Sequence, residues 1–189
     1  AEKYLLTAAK SGNVESQLTL AYLYRELDDY NQALYWARKA AQTNNADSHE
    51  FIGMAYLYGV GVMQDTEEGM KWLESAAEYG SASAQFTLGD ILMGNDYGAN
   101  VEVDPERSFK YLMMAAQQEH AEAMFCVGLC YSSGKGTPKD NDASMEWIRK
   151  AADKEYPNAQ LFIDEVNNAP TASINNIAET QTQTFEITD

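Results

Sequence analysis

Five Ala-Ala pairs recur along the chain, and an aromatic precedes each by four residues: Tyr4 before Ala8-Ala9, Trp36 before Ala40-Ala41, Trp72 before Ala76-Ala77, Tyr111 before Ala115-Ala116 and Trp147 before Ala151-Ala152. All three tryptophans occupy this one position. A second register runs beside it: SQLTLAYLY from Ser16, SHEFIGMAYLYGVGV from Ser48, AQFTLGDILMG from Ala84, AMFCVGLCYSSGKG from Ala123 and a partial AQLFIDEV from Ala159, with starts 32, 36, 39 and 36 residues apart. This period constrains the fold more than any local propensity does. A unit of that size cannot bury its own apolar face and must stack on copies of itself.

Each unit holds two segments with apolar residues at three- and four-residue spacing, separated by Gly-rich or Asp/Asn-rich punctuation, which predicts two antiparallel helices. No strand pattern runs through residues 1–166. Ala21, Gly53, Gly89 and Gly128 recur at one place on the first helix, where a minimal side chain lets the second helix approach. Ala40, Ala76, Ala115 and Ala151 do the same on the second helix, with the aromatic one turn earlier filling the wider gap. The expected fold is all-α, a right-handed α-solenoid of antiparallel helix pairs. Residues 1–13 read as the second helix of a truncated repeat, 14–166 as about four repeats plus a final partial helix, and 167–189 as a polar tail. The closing TQTQTFEIT has the alternation of an edge strand.

The stretch SHEFIGMAYLYGVGVMQDTEEGMKWLESAAEYG (48–80), echoed by AMFCVGLCYSSGKGTPKDNDASMEWIRKAADKEY (123–156), resembles the Sel1-like repeat, a relative of the tetratricopeptide repeat. Glycines, aromatic, double alanine and the loop aspartates Asp65, Asp104 and Asp140 carry the resemblance together, over about residues 1–166. Two units depart from it. The one from Ser16 replaces the Gly-x-Gly loop with the short Glu26-Leu27-Asp28-Asp29 turn, and the one from Ala84 has an enlarged loop at 94–103. The resemblance implies a non-catalytic scaffold or adaptor for protein–protein interaction. Alternatives it leaves open are an immunity protein that occludes a bacterial toxin and a hydrolase of cell-wall-like substrates.

Charge and chemistry narrow the function further. With 13 Lys+Arg against 29 Asp+Glu the net charge is −16, which disfavours nucleic acid as a partner. No run approaches the ~18 apolar residues of a membrane span. Cys126 and Cys130 sit four apart in one helix, a poor geometry for a disulfide, and align with apolar or small positions of other repeats, so they read as core. His49 aligns with Gln17, Gln85 and Gln160 and reads as a surface or packing residue. His120, at a helix end, reads as a cap for carbonyls or a partner of the helix dipole. Gly134-Lys135-Gly136-Thr137 is the repeat's turn rather than a phosphate loop, and Asn95-Asp96 and Asp140-Asn141-Asp142 read as helix caps. Neither catalytic residues, metal ligands nor a cofactor are expected, and the compartment stays open between bacterial envelope and cytoplasm.

The first helices are expected to line a concave groove. Aligned on the small residue, their inner positions give Glu15, Leu18, Tyr22 and Arg25, then Asp47, Glu50 and Met54, then Phe86, Asp90 and Met93, then Glu122, Phe125 and Leu129, and finally Glu165. Apolar anchors and carboxylates opposed by Arg25 alone predict a protein or peptide partner with a basic, amphipathic face. Several of these residues have a competing assignment as packing between repeats.

Overall fold

Short polar side chains start the helices. Asn13, Asp29, Asn45, Asp65, Asp104 and Asp140 each turn a side-chain oxygen to the backbone N–H three residues on, at 2.7 to 3.1 Å, satisfying a donor that the first turn otherwise leaves open. His120 does the same with a ring nitrogen, its Nδ1 accepting from Ala123 N–H at 3.3 Å. This corrects the expectation that it caps carbonyls: it belongs to the start of the next helix, not the end of the previous one.

The computed structural model describes residues 2–95 and 101–168. Over these the chain forms α1 (Glu2–Lys10), α2 (Val14–Glu26), α3 (Tyr30–Ala41), α4 (Ala46–Tyr58), α5 (Thr66–Glu78), α6 (Ala82–Met93), α7 (Pro105–Gln117), α8 (Ala121–Ser133), α9 (Asn141–Asp153) and α10 (Pro157–Asn168), with no strand among the described residues. The expected tail boundary moves, because α10 runs through Asn168, whose Nδ2 donates to Asp164 O at 2.7 Å. The rest of that tail and the centre of the 94–103 loop lie outside the described residues. Two compact units divide after Ala84.

Within each pair, the second helix is set on the first by a missing side chain. A Cβ on Gly53 of α4 would stand 2.9 Å from Leu73 Cγ and 3.0 Å from Leu73 N, and one on Gly69 of α5 would stand 2.9 Å from Leu57 N. The pairing 53–73 and 57–69 runs in opposite directions, so the helices are antiparallel. A Cβ on Gly89 would likewise stand 2.6 Å from Leu112 Cγ, and one on Gly128 2.5 Å from Ile148 Cγ1. The first repeat keeps the volume by the opposite choice: Ala21 stands at the glycine position and Ala37 at the leucine position, both fully buried. A second small position, Ala33, Gly69, Ser108 and Ser144, lies three residues before each aromatic and is buried throughout; Ser108 Oγ donates to Gly89 O at 2.5 Å.

The aromatics are less enclosed than their spacing suggests. Trp36 is buried, Trp72, Tyr111 and Trp147 are half-buried, and Tyr4 is exposed. The enclosed residue is the next one along: Ala37, Leu73, Leu112 or Ile148. Trp72 instead lies against the His49 ring at 4.9 Å and donates from Nε1 to Glu68 Oε1 at 2.8 Å. Leu73→Ala should therefore cost about 3 to 4 kcal/mol and Trp72→Ala only about 2 kcal/mol, which paired urea titrations resolve; the reverse order would mean that the helix is rotated.

The double alanines also serve through their carbonyls. Gly12, Asn44, Gly80, Glu119 and Glu155 follow them at one position, all with φ between 57 and 94°, and their N–H groups donate to Ala9, Ala41, Ala77, Ala116 and Ala152. This is the left-handed residue that ends a helix. The next repeat uses the same acceptors: Gln17 Nε2 donates to Ala9 O at 2.9 Å and His49 Nε2 reaches Ala41 O at 3.2 Å. His49, buried between Trp72 and Tyr79, thus packs and ties repeats together.

Candidate functional site

The first unit contains a cavity of about 300 Å³ whose walls come from α2, α3, α4 and the loop after α4. Only Leu27–Asp29 separates α2 from α3, whereas Gly59–Asp65 separates α4 from α5. Tyr22 and Arg25 come from α2, Tyr30 and Leu34 from α3, and Glu50, Phe51, Met54 and Tyr58 from α4.

Four residues singled out in the sequence meet here: Tyr22, Arg25, Glu50 and Met54. Tyr22 and Phe51 pack edge to face at 5.4 Å, and the Arg25 guanidinium lies 5.1 Å from the Tyr22 ring centroid and 5.7 Å from that of Phe51, within cation–π range. Burial raises the Tyr22 phenol above its usual range, Asp47 and Glu50 push it further up, and Arg25 acts against them. Asp47 and Glu15 are exposed and Leu18 is half-buried on the same two first helices. Glu50 is less free than its sequence position suggests: Ser81 Oγ donates to one carboxylate oxygen at 2.6 Å and Ser83 Oγ to the other at 2.5 Å. Tyr30, Leu34, Phe51, Tyr58 and Val60 also line the cavity but lie off the first-helix positions that recur between repeats, so periodicity does not single them out.

In the second unit the same register is packed. Phe125 is fully enclosed, with its ring 5.5 Å from Tyr156 and 6.2 Å from Phe162. Leu129 and Asp90 are buried, the latter accepting from Asn95 Nδ2 at 2.5 Å. These three are corrected from surface contacts to interior residues. Half-buried Phe86 stacks on His120 at 4.9 Å, Met93 packs against the core, and Glu122 accepts from the Tyr156 hydroxyl at 3.3 Å. Glu165 is exposed on α10. The pairs Glu50/Ser81, Phe86/His120 and Phe125/Tyr156 occupy one register, three residues before the small position and at the residue just before the next first helix. Glu50 meets a hydroxyl there, whereas both phenylalanines meet a ring.

No group of three or more metal-ligating side chains occurs among the described residues. Ser132 and Lys135 have the Ser-x-x-Lys spacing, but Ser132 is buried at the end of α8 and Gly134 breaks the helix between them in the left-handed region. Burial pushes the Cys126 thiol well above its ordinary range and that of Cys130 up to about 12, so neither is a thiolate near neutrality. Because the folded Cys130 thiol holds its proton up to about 12, above its ordinary 9.0, the stability it contributes is complete below pH 9 and lost from there toward 12. Urea midpoints should fall over that window, and less steeply in Cys130→Ala.

A family model described as Sel1 repeat matches residues 14–45, 46–81, 82–120 and 121–156. The chain belongs to the Sel1-repeat family. The Sel1-repeat-containing protein YjcO of Escherichia coli K12 is 26% identical over 148 residues, which is 78% of this chain and 64% of that protein; this chain thus spans just under two thirds of that relative. Among solved structures, a Sel1 repeat protein from Oxalobacter formigenes superposes with a TM-score of 0.82 at 25% identity, covering 97% of this chain and 76% of that one. The protective antigen c5321 of uropathogenic E. coli, which displays an SLR fold, gives 0.77 at 28% identity over 96% and 40%. Sel1-repeat proteins are in general protein-interaction scaffolds and typically non-catalytic, and no described helix of this member is long and apolar enough to cross a membrane.

Proposed function

We propose that this Sel1-repeat protein is a non-catalytic adaptor that holds a basic, amphipathic segment of a protein partner on the α2–α4 face of its first unit. The cavity carries this reading. Its Tyr22, Phe51 and Met54 walls suit a buried aliphatic or aromatic anchor, and exposed Glu15 and Asp47 supply the carboxylates that orient basic residues flanking that anchor. Glu50 supports the wall through its serine bonds rather than acting as a free charge, and Asp90 lies inside the second unit. Charge reversal therefore belongs at Glu15 and Asp47, where it leaves the packing alone.

A short fluorescent peptide alternating Lys with Leu and Phe is the probe. Glu15→Lys with Asp47→Lys should weaken its binding roughly tenfold and flatten its salt dependence, with the urea midpoint lowered only by the loss of two first-turn carboxylates from the α2 and α4 dipoles. Equal affinity in the variant would remove this face from consideration.

A further inference from the structure

The second helices share a charge pattern that α3 breaks. In the row of Asn31, Tyr35, Arg38, Lys39 and Gln42, α5 carries Glu67, Glu74 and Glu78, α7 carries Glu106, and α9 carries Asp142, Glu146 and Asp153. From Tyr30 to Ala41 there is no acidic residue, and α3 alone among the described helices holds none. The comparison with α9 is the sharpest. Arg149 and Lys150 stand there in the places of Arg38 and Lys39, and Lys150 pairs with Glu146 at 2.7 Å; in α3 the position of Glu146 is taken by Tyr35. Likewise Lys71 of α5 pairs with Glu67 at 2.6 Å, whose counterpart in α3 is Asn31. The counter-charges used elsewhere are replaced here by neutral hydrogen-bonding side chains.

This row also faces a cleft. Gly61, at φ 71°, lies so near α3 that a Cβ there would stand 2.4 Å from Tyr30 Cβ and 3.2 Å from Leu34 Cδ1. The loop and α3 thereby enclose about 260 Å³ lined by Asn31, Tyr35, Arg38, Lys39, Gln42 and Val62, with no carboxylate in the lining. Arg38 Nη2 donates to the Tyr56 hydroxyl at 3.1 Å, which steadies the guanidinium and leaves other donors of its fork available. The Lys39 ammonium lies 5.8 Å from the Tyr35 ring centroid. Complementing the helix dipole accounts for two cations in the last turn, but not for the removal of carboxylates along the whole of α3 or for the cleft beside them.

We infer that the cleft between α3 and the loop around Gly61 is a second docking site, taking an acidic protein segment whose neighbouring carboxylates engage Arg38 and Lys39. This surface lies apart from the cavity residues that carry the proposed function, Leu34 excepted, and has the opposite charge preference. The net charge of −16 does not forbid it, because repulsion from exposed charges is screened beyond about 8 Å at physiological salt. It does mean that binding depends on local contacts rather than long-range steering.

Amide NMR of the full chain titrated with a short Glu- and Leu-containing peptide, and with its Lys counterpart, provides the test. Only the Glu peptide is expected to shift Gly61, Val62 and the α3 amides, and R38E/K39E should weaken it at least tenfold while remaining folded, its urea midpoint lowered only by the lost helix-dipole and Tyr56 contacts. Should that double variant unfold, R38Q/K39Q is read instead, with the same expectation. Undiminished binding by the variant that is read, or shifts confined to other helices, would overturn the inference. So would sedimentation showing a wild-type dimer that R38E/K39E converts to monomer, since the occupant would then be a second copy of the chain.

Discussion

Replacing Phe125 by alanine is expected to lower stability by about 3 to 5 kcal/mol, the cost of emptying an aromatic site in a close-packed interior. The ring is wholly enclosed and contacts Tyr156 and Phe162, so its loss opens a void shared by α8 and α10. In urea this appears as a lower midpoint with little change in slope. A surface contact would behave differently, leaving the midpoint in place and changing only partner binding. Phe125→Leu, which keeps much of the volume, should recover most of the loss.

Gly136→Ala is expected to be comparably severe, at about 3 kcal/mol or more, for two reasons that add. The residue has φ 70°, where a side chain costs roughly 1 to 2 kcal/mol. Its Cβ would also stand 2.0 Å from Pro105 O and 2.6 Å from Pro105 C. These are backbone atoms at the start of α7, and no rotamer change relieves the overlap, so the loop after α8 must move off α7. Gly12→Ala separates the two causes. Gly12 has φ 94° with nothing within 4 Å of the added carbon, so only the backbone strain remains and the loss should stay near 1 to 2 kcal/mol. Equal effects at the two glycines would show that the loop does not rest on α7.

Period and small-residue spacing made the repeat legible without coordinates, because both report on contacts within a unit: Gly53 against Leu73 and Gly128 against Ile148 are reached by counting along one helix pair. The candidate site was legible only in part. Tyr22, Arg25, Glu50 and Met54 line the cavity, but Phe125, Leu129 and Asp90, at equivalent first-helix positions, are interior. What decides between the two outcomes is a residue some thirty positions away: Glu50 meets Ser81 and Ser83, separated by 31 and 33 residues, and Phe125 meets Tyr156. Periodicity says that position 125 is equivalent to position 50; it does not say which of them has an aromatic partner waiting to cover it. The aromatic beside the double alanine misled for a related reason. Its conservation of place between repeats reflects stacking at a half-buried edge, as Trp72 on His49 shows, while the enclosed position belongs to the residue after it.

The most direct test of the docking cavity is a methyl NMR titration of the chain labelled at its methionines, using the peptide that alternates Lys with Leu and Phe. Met54 lines the cavity and Met63 is 88% exposed outside it, so the two methyls distinguish insertion from nonspecific adhesion. A saturating shift of the Met54 methyl is expected, with Met63 unmoved and the Met54 response lost when the Lys residues of the peptide are replaced by Glu. A Met54 methyl that stays in place while the peptide binds elsewhere, or that responds equally to the Glu peptide, would contradict docking in the cavity.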